Sequence, residues 1–174
     1  MLGDGPDRAA LEALRDRLGL ADHVHPVDLG QLGADAPALS RCLETLETER
    51  DVAAVSCRMV DGDGKPILDA RPFPTLRTYL EERLAGARPP YPVIPDPPRA
   101  VDIDSATGAF VLIAREAWSA IGPFDEGFFL YFEETEWFWR AKRAGWRVLH
   151  EPRATVTHPG AQSTTKGVGS EQVV

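Results

Sequence analysis

Apolar residues recur along this chain at helical spacing in some stretches and at strand spacing in others. In residues 6–18, Leu11, Leu14 and Leu18 stand at i, i+3 and i+7, between Pro6 at a first helical position and Gly19 just past the end, which predicts a helix. A short strand carrying Val24 and Val27 follows. From Pro37 to about Arg50 a second helix places Leu39, Cys42, Leu43 and Leu46 on one face. Val52 to Val60 is a β-rich apolar run, read as a buried strand, closed by the turn Asp61-Gly62-Asp63-Gly64 and a short return at Pro66 to Leu68. Residues 75–84 fit another helix, whereas six prolines between Pro89 and Pro98 require an extended loop. Ala100 to Asp104 and Gly108 to Ile113 are strand-like, and Arg115 to Ile121 is a short helix broken by Gly122-Pro123. Glu133 to Ala144 is a helix ending at Gly145. Arg147 to Leu149 and Thr155 to Thr157 are predicted as two short strands on either side of Glu151-Pro152, and the tail from Gly160 is expected to be mobile. No internal repeat is evident.

This order of elements is α/β, and 174 residues with 43% apolar content are enough for one domain with a real core. Nineteen Lys and Arg against 27 Asp and Glu leave a net charge of −8, which removes the basic field that nucleic acid binding needs. No apolar run reaches the length of a membrane span, and the N-terminus lacks the basic-then-apolar pattern of a signal peptide. The expectation is a soluble cytoplasmic protein, with a peripheral position at the inner face of the membrane as the variant of it. Cys42 and Cys57 lack the spacing of a zinc site or disulfide framework and read as buried free thiols. Aromatic residues are unevenly spread: all four Trp and six of seven Phe lie between Phe110 and Trp146, and the first 70 residues have none.

The segment richest in chemistry is Gly122 to Trp137. Its aromatic run delivers Glu133, Glu134 and Glu136 to the first turn of a helix, where the macrodipole keeps carboxylates ionised, as a general base requires. The plainer reading is that Glu133 and Glu134 merely suit a helix N-terminus while Glu136 pairs with Arg140 at i, i+4. Trp137, Trp139 and Trp146 suit core packing better than sugar stacking.

A wider pattern bears on that choice. It comprises Val52-Ala53-Ala54-Val55, Gly64-Lys65-Pro66, Thr107-Gly108-Ala109-Phe110 through Ile113, Arg115-Glu116-Ala117 and Ile121-Gly122-Pro123-Phe124-Asp125-Glu126. It continues through Phe128-Phe129-Leu130-Tyr131-Phe132-Glu133-Glu134, Trp139-Arg140, Arg143-Ala144-Gly145-Trp146, Pro152-Arg153-Ala154 and His158. Residues from about Asp51 to His158 thereby resemble the C-terminal half of inverting family 2 glycosyltransferases of the rhamnosyltransferase-like kind, which have a GT-A fold. The resemblance implies a mixed sheet with flanking helices and transfer of a sugar from a nucleoside diphosphate donor to a glycan, glycolipid or natural-product hydroxyl. It implies Glu134 as catalytic base with Glu133 beside it; the family more often has Asp at the second position. It further implies His158 at the donor diphosphate and its divalent metal (Mg or Mn), and Asp125 and Gly108 on the acceptor side. For Asp125 a turn-capping role, for Gly108 a tight strand entry and for His158 an ordinary strand-end histidine stay open.

The N-terminal nucleotide-binding half of that family, with its metal-binding acidic motif, is not recognisable. Asp61-Gly62-Asp63 has the letters of the motif but follows the strand it should precede, and reads as a hairpin turn. Instead, Leu2-Gly3-Asp4-Gly5-Pro6-Asp7-Arg8 through Val24 resembles a short stretch of family 4 glycosyltransferases, which have the GT-B fold. The expected organisation is a helix-strand segment over 1–33, a GT-A-like acceptor and catalytic-base region over 34–160, and a tail over 161–174. Such a joint reads as a fusion or a truncated frame. It leaves two readings: a glycosyltransferase, with a partner chain supplying the nucleotide-binding half as one arrangement, or a catalytically incompetent remnant that binds an acceptor glycan or partner.

Overall fold

The computed structural model describes residues 36–86, 92–95, 97–128 and 131–158. The helix expected over 6–18, the strand with Val24 and Val27, the 1–33 segment, the tail over 161–174 and part of the proline-rich loop lie outside the described residues. Helix α1 (Ala36–Thr48) leads into strand β1 (Val52–Val60), followed by β2 (Pro66–Ile67), β3 (Ala70–Arg71), α2 (Leu76–Ala85), β4 (Val101–Asp102), β5 (Ser105–Ala106) and β6 (Val111–Ile113). Then come α3 (Arg115–Ile121), α4 (Glu133–Arg143) and β7 (Arg147–Thr157). This is a mixed α/β architecture, consistent with a partial GT-A-like fold.

The sheet is built on β1, whose first six residues are all buried, as its apolar run predicts. One edge of β1 pairs antiparallel with β6 near Ala54–Ser56 and with β2 at Met59–Val60. Its other edge pairs with β7 in parallel from Val52↔Arg147 to Val60↔Thr157, and β7 carries β4 antiparallel on its far side. The turn after β1 is held by the Asp61 carboxylate, which accepts from the backbone N–H groups of Asp63 and Lys65 at 2.9 Å each. Asp61-Gly62-Asp63 is therefore a hairpin turn, with Gly64 in the left-handed region at φ 79°.

Two apolar layers cover the sheet. Ala38 and Cys42 of α1 pack with Val55, Cys57, Met59, Leu149 and Val156 on one side, and both cysteines are buried free thiols. Trp137, Phe138 and Ala141 of α4 pack with Ala117 of α3, Ala54 and Val148 on the other.

The strands expected separately at Arg147–Leu149 and Thr155–Thr157 form one continuous strand. Between Cys57↔Glu151 and Arg58↔Thr155 the register shifts, so Pro152, Arg153 and Ala154 are looped out of the ladder with β1. The bulge falls where the missing N–H of Pro152 costs no ladder bond. The two-residue strands β3 and β5, which pair antiparallel through Ala70↔Ala106 and Arg71↔Ser105, were not foreseen as a ladder.

Candidate functional site

Helix α4 begins abruptly. Its N-cap, Phe132, lies in the left-handed region at φ 69°, as does Tyr131 at φ 64°, and the cap contributes no side-chain hydrogen bond. Glu133, Glu134 and Glu136 occupy the first turn and Arg140, Lys142 and Arg143 the last, so both ends carry the charge that the helix dipole favours. The left-handed pair costs conformational energy that the packing of the helix must hold.

That packing is aromatic. Trp137 is fully buried, stacks on Trp118 at 6.0 Å between ring centroids and meets Phe124 and Phe138 edge-on at 6.2 and 5.9 Å. Its indole N–H donates to the carbonyl of Gly122 at 2.8 Å. Arg140 donates to both oxygens of Glu136 at 2.7 and 2.9 Å, to the Ile121 carbonyl at 2.7 Å and to the Pro123 carbonyl at 2.8 Å. The Glu136–Arg140 pair expected from spacing is thus present, and it pins the 121–125 loop to α4. Trp146 is half-buried against the same core. Trp139 departs from the core-packing expectation: it is largely exposed, with the Arg143 guanidinium 4.6 Å above its ring.

The structure brings Gly108 and Glu134 together. A Cβ placed on Gly108 would stand 3.7 Å from Cβ and Cγ of Glu134 and 3.8 Å from its carboxyl carbon, so this bare backbone lines the Glu134 side chain. Glu133 is half-buried, and its Oε2 is buried with no hydrogen-bond partner among the described residues. Asp125 accepts from the Gly127 N–H at 2.8 Å through Oδ1, so this carboxylate caps its own turn. His158 follows β7; its N–H donates to the Val60 carbonyl at 2.8 Å, and its ring Nδ1 is buried without a partner among the described residues.

Buried polar contacts join these places. The Asp69 carboxylate accepts from the Met59 N–H at 3.1 Å, and the Asp69 carbonyl accepts from the Thr107 N–H at 2.7 Å. A line of contacts therefore runs from Glu134 through Gly108, Thr107, Asp69 and Met59 to Val60 and His158. All of these lie toward the carboxyl ends of the parallel pair β1–β7, the usual position for ligand sites in α/β sheets. Asp69 also stands 3.8 Å from Nδ1 of His150, which is 3.3 Å from the Ser56 hydroxyl. Serine, histidine and aspartate meet here, but all three are buried and both contacts reach the same ring nitrogen, so this is structural bonding rather than a nucleophilic triad. Burial lowers the His150 pKa, with Asp69 opposing, so the ring is neutral at pH 7. Thr107 stood in the family pattern without a role of its own and Asp69 escaped the sequence reading; the one signal was a lone Asp just after the apolar return at β2.

Behind the bulge of β7, the fully buried Glu151 accepts from Thr45 at 2.7 Å and from the Arg153 backbone and side chain at 2.9, 2.7 and 2.5 Å. Burial opposes its ionisation, but the bonds from Arg153 and Thr45 outweigh it and hold the carboxyl below its usual range. Among the described residues no three His, Cys, Asp or Glu side chains converge. His158 therefore has no complete set of metal ligands about it among the described residues.

No family model matches the chain. It is similar to the N-acetylglucosaminyl-diphospho-decaprenol L-rhamnosyltransferase of Mycobacterium tuberculosis, in strain CDC 1551 / Oshkosh and in strain ATCC 25618 / H37Rv alike. The identity is 30% over 97 residues, covering 56% of this chain and 28% of each relative. The chain thus spans little more than a quarter of the length of these curated relatives. The similarity carries a glycosyltransferase relationship and does not speak for the likeness of the N-terminal segment to family 4. Among the described residues no helix is long and apolar enough to cross a membrane. This chain, with its carboxylate-bearing helix α4 set against Gly108 in a mixed α/β fold, is related to the glycosyltransferases.

Proposed function

We propose that this chain carries the acceptor-activating side of an inverting, family 2-type glycosyltransferase. The donor is a nucleoside diphosphate sugar, and the acceptor a hydroxyl of a lipid-linked glycan, as the relatives' name suggests. The carrying observation is the approach of Glu134 to Gly108, which leaves a carboxylate at a helix N-terminus beside backbone with no side chain to obstruct a sugar. Glu134 takes the acceptor hydroxyl proton as that oxygen bonds to the anomeric carbon. The bond from that carbon to the diphosphate breaks on the opposite face, the nucleoside diphosphate leaves, and configuration inverts. In this reading Glu133 stands beside the base, His158 lies on the diphosphate side and Asp125 at the acceptor loop. A divalent ion on the diphosphate, supplied with the donor, belongs to this reading by family resemblance.

The test incubates the protein with nucleotide sugars and a polyprenyl-diphosphate-linked N-acetylglucosamine, and follows nucleoside diphosphate release. Glu134→Gln is expected to lower turnover about 100-fold or more with donor affinity preserved. Parallel loss of turnover and donor affinity would contradict the base role. Absence of uridine or thymidine diphosphate binding at millimolar ligand, with and without Mn²⁺ or Mg²⁺, would favour an accessory binding module.

A further inference from the structure

The short ladder of β3 with β5 fixes an arginine beside the candidate site. Arg71 stands opposite Ser105 in that ladder, and the Ser105 hydroxyl donates to the Arg71 carbonyl at 3.3 Å. The Arg71 guanidinium in turn donates from Nη2 to the Thr107 hydroxyl at 3.2 Å. Thr107 is itself held, with its N–H on the Asp69 carbonyl at 2.7 Å, and it leads directly into Gly108, the backbone that lines Glu134. Arg71 and Gly108 are exposed and Glu134 is half-buried, so all three are open to a ligand.

What this guanidinium lacks is a carboxylate. Arg77, Arg140, Arg147 and Arg153 each pair with an acidic side chain. Arg71 has no such pair among the described residues, although the chain carries 27 acidic residues against 19 basic ones. Asp104, next to its ladder partner Ser105, is committed to the Lys142 ammonium and the Phe73 N–H, each at 3.1 Å, and the Asp69 carboxylate is buried on the Met59 N–H. A guanidinium carries five donors in a planar fork, so the bond to Thr107 orients it and leaves donors over for a second acceptor; that fork matches a phosphate. The stereochemistry proposed above indicates which phosphate. In an inverting displacement the base and the leaving diphosphate stand on opposite faces of the anomeric carbon, and Arg71 is tied to the backbone that lines the base. It is on the acceptor's side.

We propose that Arg71, oriented by Thr107, binds a phosphate of the acceptor and makes the Glu134 site selective for a phosphate-linked glycan over an uncharged one. This rests on the acceptor-activating reading given above and adds an anion to it. A sugar linked through a phosphate or diphosphate carries its charge one ring away from the hydroxyl that Glu134 deprotonates, and the bare backbone of Gly108 leaves room for that ring. Arg71 is a specificity-determining residue: it takes no proton and touches no reacting atom.

The experiment is calorimetric titration with three probes: N-acetylglucosamine linked through a diphosphate to a short prenol, octyl N-acetylglucosaminide, which has no phosphate, and uridine diphosphate. The parent is expected to prefer the diphosphate-linked glycan over the octyl glycoside by about tenfold or more. Arg71→Gln is expected to abolish that preference by weakening the first glycan alone, while Arg71→Lys, which keeps the charge but not the fork, should retain about threefold of it. The affinity for uridine diphosphate should not change. Arg71 is exposed, so circular dichroism of its variants should match the parent; if Arg71→Gln misfolds, Thr107→Val, which removes the orienting hydroxyl, is expected to lower the preference about threefold. Equal affinity of the parent for the two glycans overturns the proposal. So does a loss in Arg71→Gln that is the same for both glycans, the mark of a structural role, or one confined to uridine diphosphate, which moves the arginine to the donor. Glu134→Gln is expected to keep the parent's preference while losing turnover, so failure of the base assignment is read separately. If the parent binds neither glycan at millimolar concentration, the acceptor reading falls and this proposal with it.

Discussion

Helices α2 and α4 are alike in length and in their mix of residue types. They span ten and eleven residues, and each mixes aromatic or leucine side chains with both signs of charge. In the fold they are opposites: α4 buries Trp137, Phe138 and Ala141 against the sheet, while α2 leaves its leucines and tyrosine in solvent. The difference lies in what stands opposite. Helix α4 runs straight into β7 through Gly145, at φ 90°, and so must lie back across the sheet, whereas α2 is followed by a long proline-rich connection that imposes no such return. Pattern points the same way: α4 gathers its apolar residues on one face, whereas in α2 Arg83, seven residues after Leu76, interrupts the apolar side.

Substitutions in the two helices should therefore diverge sharply. Trp137→Ala is expected to cost about 3–5 kcal/mol in urea unfolding, since it empties the centre of the aromatic cluster and frees the Gly122 carbonyl. Arg140→Leu should cost about 1–2 kcal/mol by leaving the Ile121 and Pro123 carbonyls without their donor. It should also quicken proteolysis within the 121–128 loop; an unchanged cleavage rate would mean that the aromatic cluster alone holds that loop. Gly108→Ala is expected to leave the melting temperature nearly unchanged, because the new methyl meets Glu134 at ordinary contact distance. The methyl should nonetheless raise the acceptor KM by about tenfold, and a normal KM would move the acceptor away from Gly108. Leu84→Ala should change stability by less than about 0.5 kcal/mol, and a larger loss would show that α2 has a partner within the fold.

Acid should expose the buried polar layer that supports the site. His150 has its pKa lowered by burial in the folded state, so the unfolded chain takes up the proton first. Stability is full above about pH 6.5 and declines as pH falls below it. Glu151 is held below its usual range in the fold, so its contribution is present above the unfolded carboxyl value of about 4.3 and is lost as pH falls further, through the folded pKa. Urea midpoints measured from pH 8 downward should fall in that order, and His150→Gln should remove the first decline.

Much of this was legible in the residues. The bounds of β1 and α3 follow from an apolar run and from a Gly-Pro break, and α4 ends as expected before Gly145. Glu134 and Gly108 were singled out by the family resemblance and not by the aromatic run alone, and the fold sets the two against each other. What stayed hidden depends on partners remote in sequence. Nothing local announces that Asp69 will bridge Met59 and Thr107, or that Thr45 will meet Glu151 across 106 residues. Pro152 misled because a proline argues against a strand, and only the register of β1 creates the bulge that accommodates it.

The parallel pairing of β1 with β7 also governs how the molecule is made. Val52 meets Arg147 and Val60 meets Thr157, so the central ladder closes a loop of nearly a hundred residues. As the chain emerges from the ribosome, β1 waits through the synthesis of α2, the proline-rich loop, α3 and α4 before its principal neighbour arrives. Until then the edge of β1 that takes β7 is open, with β2 and β6 able to pair only on the opposite edge, and closure comes late and slowly. Nascent chains stalled before Arg147 should remain sensitive to protease, and those extended past His158 should become resistant in one step.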